Sequence, residues 1–341
     1  MTITKGNATT DNTAQGPISM LESLPPAAPA RVFDAATGSI DQQEVVQHLQ
    51  ERGFCVLRNL FSEDALSEII DQTKSYLRRP AVAGAIGFSK VDHPKKMLNP
   101  FVLGGDVVDL VLEERVIDIV EAAMASECIL AETMIKFDRG VGYEYFSMHS
   151  DFAAGWSKSA ESEFKLAADD LNQVIGVGAA IYLHDTTAGA FCYCDGTHRL
   201  IASRGQNIND YPPDERKSIL DRCIRCDGRK GDLVLFDDRG FHGPDQPCRS
   251  DRLVVLIDFY RVQTFGRTQV SPIQLWTSDL ARFSRKQLRV VGAGADYMVA
   301  PSDYAHSRFQ RNALYPLLCR IIDGAFMYSH VKNHVKKFLR A

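Results

Sequence analysis

The sequence predicts a mainly β fold with flanking helices, and three observations carry that reading. Up to about Met124 the apolar residues recur at helical spacing. Beyond Ile129 they form short runs separated by Gly, Asp and Pro, and two long polar stretches, 157 to 173 and 203 to 222, interrupt those runs without ending them. Such a change of period along one chain points to helices packed beside an antiparallel sandwich or barrel.

Residues 1 to 28 are rich in Thr, Asn, Ala, Gly and Pro and show no sustained period, so a loose N-terminal arm is expected. Ile40 to Gln50 has a polar start and apolar residues at helical spacing, and Gly53 stops it. Phe54 to Leu57 reads as a short strand. Ser62-Glu63-Asp64 opens a second helix, with Leu66, Ile69, Ile70 and Leu77 on one face, and a third helix is expected from Val107 to Met124. Strands follow at 134 to 137, 177 to 183, 190 to 194, 233 to 236 and 253 to 260. The two polar interruptions exceed ordinary loop lengths; each is expected to carry a helical turn and to serve as a lid or binding loop.

The chain of 341 residues is 45% hydrophobic and 24% charged, enough to bury a large core. Its 43 acids against 39 Lys and Arg give a formal charge of −4, which offers no whole-molecule case for nucleic acid. No window reaches the roughly 18 to 20 apolar residues of a membrane span, and Met1 to Gly16 lacks the halves of a secretory signal. A cytoplasmic location is the expectation, with the eight cysteines as free thiols.

Chemistry concentrates in two places. Ser147-Met148-His149-Ser150-Asp151-Phe152 puts an imidazole and a carboxylate two positions apart. On a strand they share a face, about 6.6 Å apart along the chain, a span that two ligands of one metal bridge by leaning inward. Alone, His-x-Asp is a weak signal whose plain reading is a polar strand end. The second place strengthens it: Gly231-Asp232 turns into the apolar run Leu233 to Phe236, which delivers His242 beyond its far end, and Arg252 opens the next strand. Two His and one carboxylate on the inner face of a barrel form the facial triad that holds Fe(II) with three positions left open, and an Arg at the start of the adjoining strand offers a planar, bidentate clamp for a carboxylate.

At this point residues 129 to 262, and more loosely 45 to 80, resemble the phytanoyl-CoA dioxygenase family. The matching segments are Met134-Ile135-Lys136, Met148 to Phe152, Gly189 to Arg199, Lys230 through Gly243, and Arg252, in the family's order; Arg52 to Ser62 also resembles the family's opening strand and helix. The resemblance implies a double-stranded β-helix, the cupin-like jelly roll, over 29 to 285, followed by a C-terminal helical extension over 286 to 341. It implies Fe(II), 2-oxoglutarate and O2 as cofactor and cosubstrates. His149, Asp151 and His242 would be the metal ligands and catalytic centre, and Arg252 would pair with the distal carboxylate of 2-oxoglutarate. Lys136 stands where the family often carries a cosubstrate-side Lys. The activity implied is hydroxylation of a C–H bond of a small-molecule metabolite with release of succinate and CO2. Desaturation, cyclisation or epoxidation in natural product biosynthesis is the alternative, and a metal-binding jelly roll without oxygenase activity is a third reading.

Tyr143, just before the ligands, is a candidate for aiming at the cosubstrate, and Trp156 and Phe152, just after them, for lining the substrate pocket. Cys223-x-x-Cys226 has no second pair at zinc spacing, and Cys192 and Cys194 are expected to pack rather than pair. His184, Asp185 and His198 read as structural. From Arg308 to Ala341, seven Lys or Arg face a single acid, Asp323, along an amphipathic pattern. Packing on the barrel or in a homodimer is the favoured reading of that segment, with a peripheral membrane contact as the alternative.

Overall fold

A computed structural model describes residues 21–301 except 39, 78–85, 89–94, 98–99, 139, 141–146, 158–161, 187–188, 201–205, 248, 268–272 and 294–298; beyond 301 it describes residues 328 and 332. In chain order the elements that frame the site are β1 (Val32–Asp34), α1 (Gln42–Arg52), β2 (Phe54–Arg58), α2 (Glu63–Leu77), β3 (Ile86–Phe88), β4 (Lys95–Met97), α3 (Gly105–Val111), α4 (Glu114–Met124), β5 (Cys128–Asp138), β6 (Gly176–Tyr182), β7 (Phe191–Cys194), α5 (Pro213–Leu220), β8 (Cys223–Cys226), β9 (Leu233–Asp237), β10 (His242–Pro244) and β11 (Arg252–Arg261).

The α1 boundaries follow from local chemistry. The Asp41 carboxylate accepts from the Gln43 and Glu44 backbone N–H groups, capping the start, and Gly53 ends the helix in a left-handed turn at φ 87°, its N–H returning to Leu49 O. The helix expected from Val107 to Met124 is two helices. The chain breaks at Leu112 and Glu113, where the Glu113 side chain caps α4 by accepting from Arg115 N and the Leu112 carbonyl is taken by Gln287 Nε2. The apolar period runs through this break, and neither Gly nor Pro interrupts Val107 to Met124.

Eight strands form the large sheet in the order β1-β2-β9-β6-β11-β5-β4-β3, antiparallel apart from the β1–β2 pair. A smaller sheet, β10-β7-β8, faces it, and His149 extends that sheet by an antiparallel bridge to His242. Helices α1 to α4 cover the outer face of the large sheet in the main core, through residues such as Leu49, Ile69, Val108 and Val120 against Leu57, Ile181 and Val255. Between the sheets lie Phe54, Tyr182, Phe191, Tyr193, Val234 and Phe236. β6 is buried on both faces, which is why its sequence carries no charged residue and does not alternate between apolar and polar. This two-sheet arrangement is the jelly roll that the sequence led one to expect.

Two boundaries shift. Residues 21 to 28, expected in the loose arm, are tied down: Leu21 is buried beside Cys194 and Phe241, Ala28 N donates to Asp195 Oδ2 at 3.0 Å, and Arg222 holds Pro25 O. The limit drawn between 285 and 286 falls at the start of the helix Arg285–Val290, whose Val290 is buried in the main core, so a core contact continues across it. The basic segment from Arg308 lies outside the described residues except for residues 328 and 332. Among the described residues no helix is long and apolar enough to cross a membrane.

Candidate active site

The two imidazoles are brought together by strand register. His149 and His242 face each other as a hydrogen-bonded antiparallel pair: His149 N donates to His242 O at 3.0 Å and His242 N to His149 O at 2.8 Å. Directly paired residues share a face, and the two rings lie 4.5 Å apart between centroids. Asp151, two residues beyond His149, joins them on that face, held by its own backbone N–H to Asp238 O at 2.9 Å. Its carboxylate lies 3.3 Å from His149 Nε2 and 3.4 Å from His242 Nε2. Ser150, between the ligands, points away and donates its hydroxyl to the Phe152 and Arg239 carbonyls.

The donor set fits a divalent transition metal. Each ring has its Nδ1 against a backbone carbonyl, Ser147 O at 3.2 Å for His149 and Gly240 O at 3.0 Å for His242. A carbonyl only accepts, so Nδ1 carries the proton and the Nε2 lone pair is turned toward Asp151. Burial holds the His242 imidazole down to about 4, hence neutral at pH 7. Two imidazoles and a carboxylate, with one ligand atom of each within 4.8 Å of the others, form a donor set of the kind that holds a divalent transition metal. His242 is further fixed between Phe191, stacked at 5.6 Å, and Phe236 at 4.7 Å.

The triad borders a cavity of about 260 Å³ between the sheets. Lys136 on β5 and Arg252 on β11 line it. The Arg252 guanidinium holds the buried Asp138 carboxylate through Nε at 2.9 Å and through Nη2, and gives Nη1 to Gly189 O at 3.1 Å; Lys136 Nζ lies 3.5 Å from the same Asp138. Both cations stand beside the Asp138 carboxylate on the cavity wall, a guanidinium and an ammonium of the kind that bind a carboxylate ligand.

Of the candidates, the structure gathers His149, Asp151, His242, Lys136 and Arg252 around one cavity. Tyr143 lies outside the described residues. Phe152 and Trp156 are a correction. Phe152 is fully buried in an aromatic cluster with Trp156, Tyr260 and Phe265, and neither lines the cavity. Strand alternation explains it, because Phe152 follows Asp151 by one residue and turns to the opposite side. Asp138, Glu132 and Asp258 went unrecognised in the sequence. Even spacing was the available signal: Asp138 and Glu132 stand two and four residues from Lys136, and Asp258 six from Arg252.

Elsewhere, Asp185 Oδ1 accepts from Lys230 N, and His198 Nε2 lies 2.9 Å from Gln50 O, both shaping turns. Cys192 and Cys194 both interact with Cys223 on the neighbouring strand, and all three are free thiols.

Residues 49–246 match the family model described as Phytanoyl-CoA dioxygenase (PhyH). None of the curated proteins searched matches the chain. Among solved structures, EctD from S. alaskensis with bound Fe superposes with a TM-score of 0.52 at 17% identity, covering 65% of this chain and 77% of that one. EctD with 2-oxoglutarate and 5-hydroxyectoine gives 0.51 at 16% identity, covering 65% and 76%. HygX from Streptomyces hygroscopicus with nickel and 2-oxoglutarate bound gives 0.47 at 15% identity, covering 71% and 94%. At these identities the likeness is one of fold.

Proposed function

The chain belongs to the phytanoyl-CoA dioxygenase family of Fe(II)- and 2-oxoglutarate-dependent oxygenases, and from that premise we propose that it hydroxylates a C–H bond of a small-molecule metabolite, releasing succinate and CO2. The observation that supports this most is the pair of Nε2 atoms aimed at Asp151, with both Nδ1 atoms tied to carbonyls, on the wall of a cavity that Arg252 and Lys136 also line.

In this reading His149, Asp151 and His242 would hold the iron beside the cavity. The bound iron and 2-oxoglutarate supply the oxidising chemistry. The protein's own residues bind and orient. Arg252 and Lys136 would receive the distal carboxylate, and Asp138, bonded to Nε and Nη2, fixes the orientation of the planar guanidinium. The Ser147 and Gly240 carbonyls hold each imidazole in one tautomer. Phe191 and Phe236 exclude water beside His242 and keep its ring from turning.

The test is an anaerobic titration. Fe(II) plus 2-oxoglutarate is expected to give a weak visible charge-transfer band that Arg252→Gln weakens, and succinate is expected to form on adding O2. Bound metal with neither band nor succinate would assign the fold to metal binding without oxygenase activity. Product mass then separates the outcomes: a gain of one oxygen is hydroxylation, whereas a loss of two hydrogens is desaturation or ring closure and overturns this proposal.

A further inference from the structure

The outer face of the small sheet gathers three thiols. β7 and β8 pair so that Cys194 stands directly opposite Cys223, and Cys192, two residues before Cys194, shares its face. That face is turned away from the cavity, which Phe191, on the alternate side of β7, lines. Cys226 is an odd step from Cys223 along the strand, so it turns to the inner face, among Tyr182 and Phe236. The Cys-x-x-Cys spacing therefore separates its own two sulfurs, and the neighbour of Cys223 comes from across the ladder.

Backbone hydrogen bonds identify the kind of pair. Asp195 N donates to Arg222 O at 3.0 Å, which makes the adjoining pair a hydrogen-bonded one, while Cys194 N turns the other way and donates to Phe241 O at 2.8 Å. Cys194 and Cys223 are thus a non-hydrogen-bonded pair, the kind whose Cα atoms approach to about 4.5 Å and whose side chains stand closest. A disulfide needs a Cα separation of roughly 4.4 to 6.8 Å, so this pair can be bridged with the strands where they are. The diagonal from Cys192 to Cys223 runs to roughly 7 to 8 Å, beyond that range.

Exposure divides the three. Cys223 is exposed on the edge strand of the sheet, whereas Cys192 and Cys194 are buried. Both buried thiols hydrogen-bond to the Cys223 sulfur, and these S–H donors favour its thiolate and pull the Cys223 thiol below its ordinary value. The same hydrogen bonds, together with burial, push Cys192 and Cys194 up. An exposed sulfur with thiolate character is the one that meets a solute, and a buried thiol in contact with it is placed to react second.

We propose that Cys223 is a hydroperoxide-reactive site and that Cys194 resolves its oxidised form into a cross-strand disulfide. The Cys223 thiolate attacks one oxygen of hydrogen peroxide: an S–O bond forms, the O–O bond breaks, and the hydroxide released takes up the proton that Cys223 gave to solvent. Cys194 then attacks the sulfur of the sulfenic acid, the S–O bond breaks, and the hydroxyl leaves as water with the Cys194 proton. Two thiols have given up two electrons and two protons, and one peroxide has become two waters. Cys192 forms no bond in this sequence and serves as a hydrogen-bond donor. The site lies outside the metal triad, so the proposal stands apart from the oxygenase reading.

The experiment treats the full chain, reduced and free of metal, with a small excess of hydrogen peroxide at pH 7, then blocks the remaining thiols and maps the peptides by mass spectrometry. The wild type is expected to lose two more thiols per chain than Cys223→Ser and to yield peptides joined between Cys194 and Cys223. In Cys194→Ala the sulfenic acid has no partner, and dimedone is expected to trap it at Cys223. Should that variant fail to fold, Cys223→Ser, a change at an exposed position, still decides: Cys194 is expected to remain a free thiol there at the same dose. Cys192→Ala should form the disulfide more slowly. A Cys223 that stays reduced, a linkage from Cys223 to Cys192 or Cys226, or Cys194 oxidised as fast in Cys223→Ser as in the wild type would overturn the proposal. So would sulfinic acid at Cys223 of the wild type in place of the disulfide, since Cys194 would then not be its resolving thiol.

Discussion

Each imidazole of the triad has one nitrogen tied to a carbonyl and the other aimed at Asp151, so the site loses metal affinity whichever of the three side chains is removed. Replacing His149, Asp151 or His242 with Ala is expected to abolish both Fe(II) binding by calorimetry and succinate formation, while the circular dichroism spectrum stays native. Retained iron in any of the three would take that residue out of the site. Arg252 has two partners to lose. Arg252→Gln should raise the 2-oxoglutarate concentration for half-maximal succinate formation by at least about tenfold. It should also lower the melting temperature, because the buried Asp138 carboxylate loses its guanidinium partner. A normal cosubstrate requirement would show that the guanidinium serves Asp138 only. Asp238 runs the other way. Burial, with Asp151 and Asp258 close by, pushes the Asp238 carboxyl well above the usual carboxylate range, so Asp238→Asn removes the cost of ionising it and the metal-free protein is expected to melt at a higher temperature than the wild type under alkaline conditions. A lower melting temperature would mean that the charge has a partner in solution.

At the scale of elements, strand register places the ligands and glycine lets the strands approach. The turn between β9 and β10 brings Gly240 so close to Tyr193 that an added Cβ would overlap the phenol, whose hydroxyl donates to Asp237 O. Gly240→Ala is therefore expected to destabilise the fold by about 1 to 3 kcal/mol in urea unfolding and to weaken iron binding, since Gly240 O also holds His242 Nδ1. Unchanged stability would show that Tyr193 moves aside freely. Helix ends were legible where a capping side chain or glycine marks them, as at Asp41 and Gly53. The break at Leu112 was not, because a distant glutamine, Gln287, satisfies the exposed carbonyl and leaves no local mark.

Across the whole molecule, burial sets the response to acid. His48, His184 and His198 all have their pKa pulled below the ordinary 6.5, with desolvation the largest cause in each. Below 6.5 the unfolded chain takes up protons at these positions that the folded chain refuses. Stability therefore rises with pH in that range and falls as pH drops through 6.5 toward the lower folded values. Asp238 and Asp258, whose carboxyls burial pushes up, act in the opposite sense, so the histidine part is read by difference: the melting temperature of the metal-free protein should fall more steeply from pH 7 to pH 5.5 in the wild type than in a His184→Asn variant, and equal slopes would show that this ring is charged in the folded state.

The helix-then-strand change of period, the short strands, the His-x-Asp pair and the distant His and Arg are local patterns, and by themselves they determined helices beside an antiparallel sandwich or barrel and four of the residues gathered at the cavity, while the family resemblance supplied the jelly roll and Lys136. What only the tertiary structure decided is which neighbours those residues meet. Phe152 turned into an aromatic cluster, residues 21 to 28 closed against the small sheet, Asp138 came to share two cations, and Asp258 came to oppose Glu132 across the ladder. Spacing along a strand tells which residues share a face, but the partner strand and its register decide what that face confronts, because pairing joins residues more than a hundred positions apart.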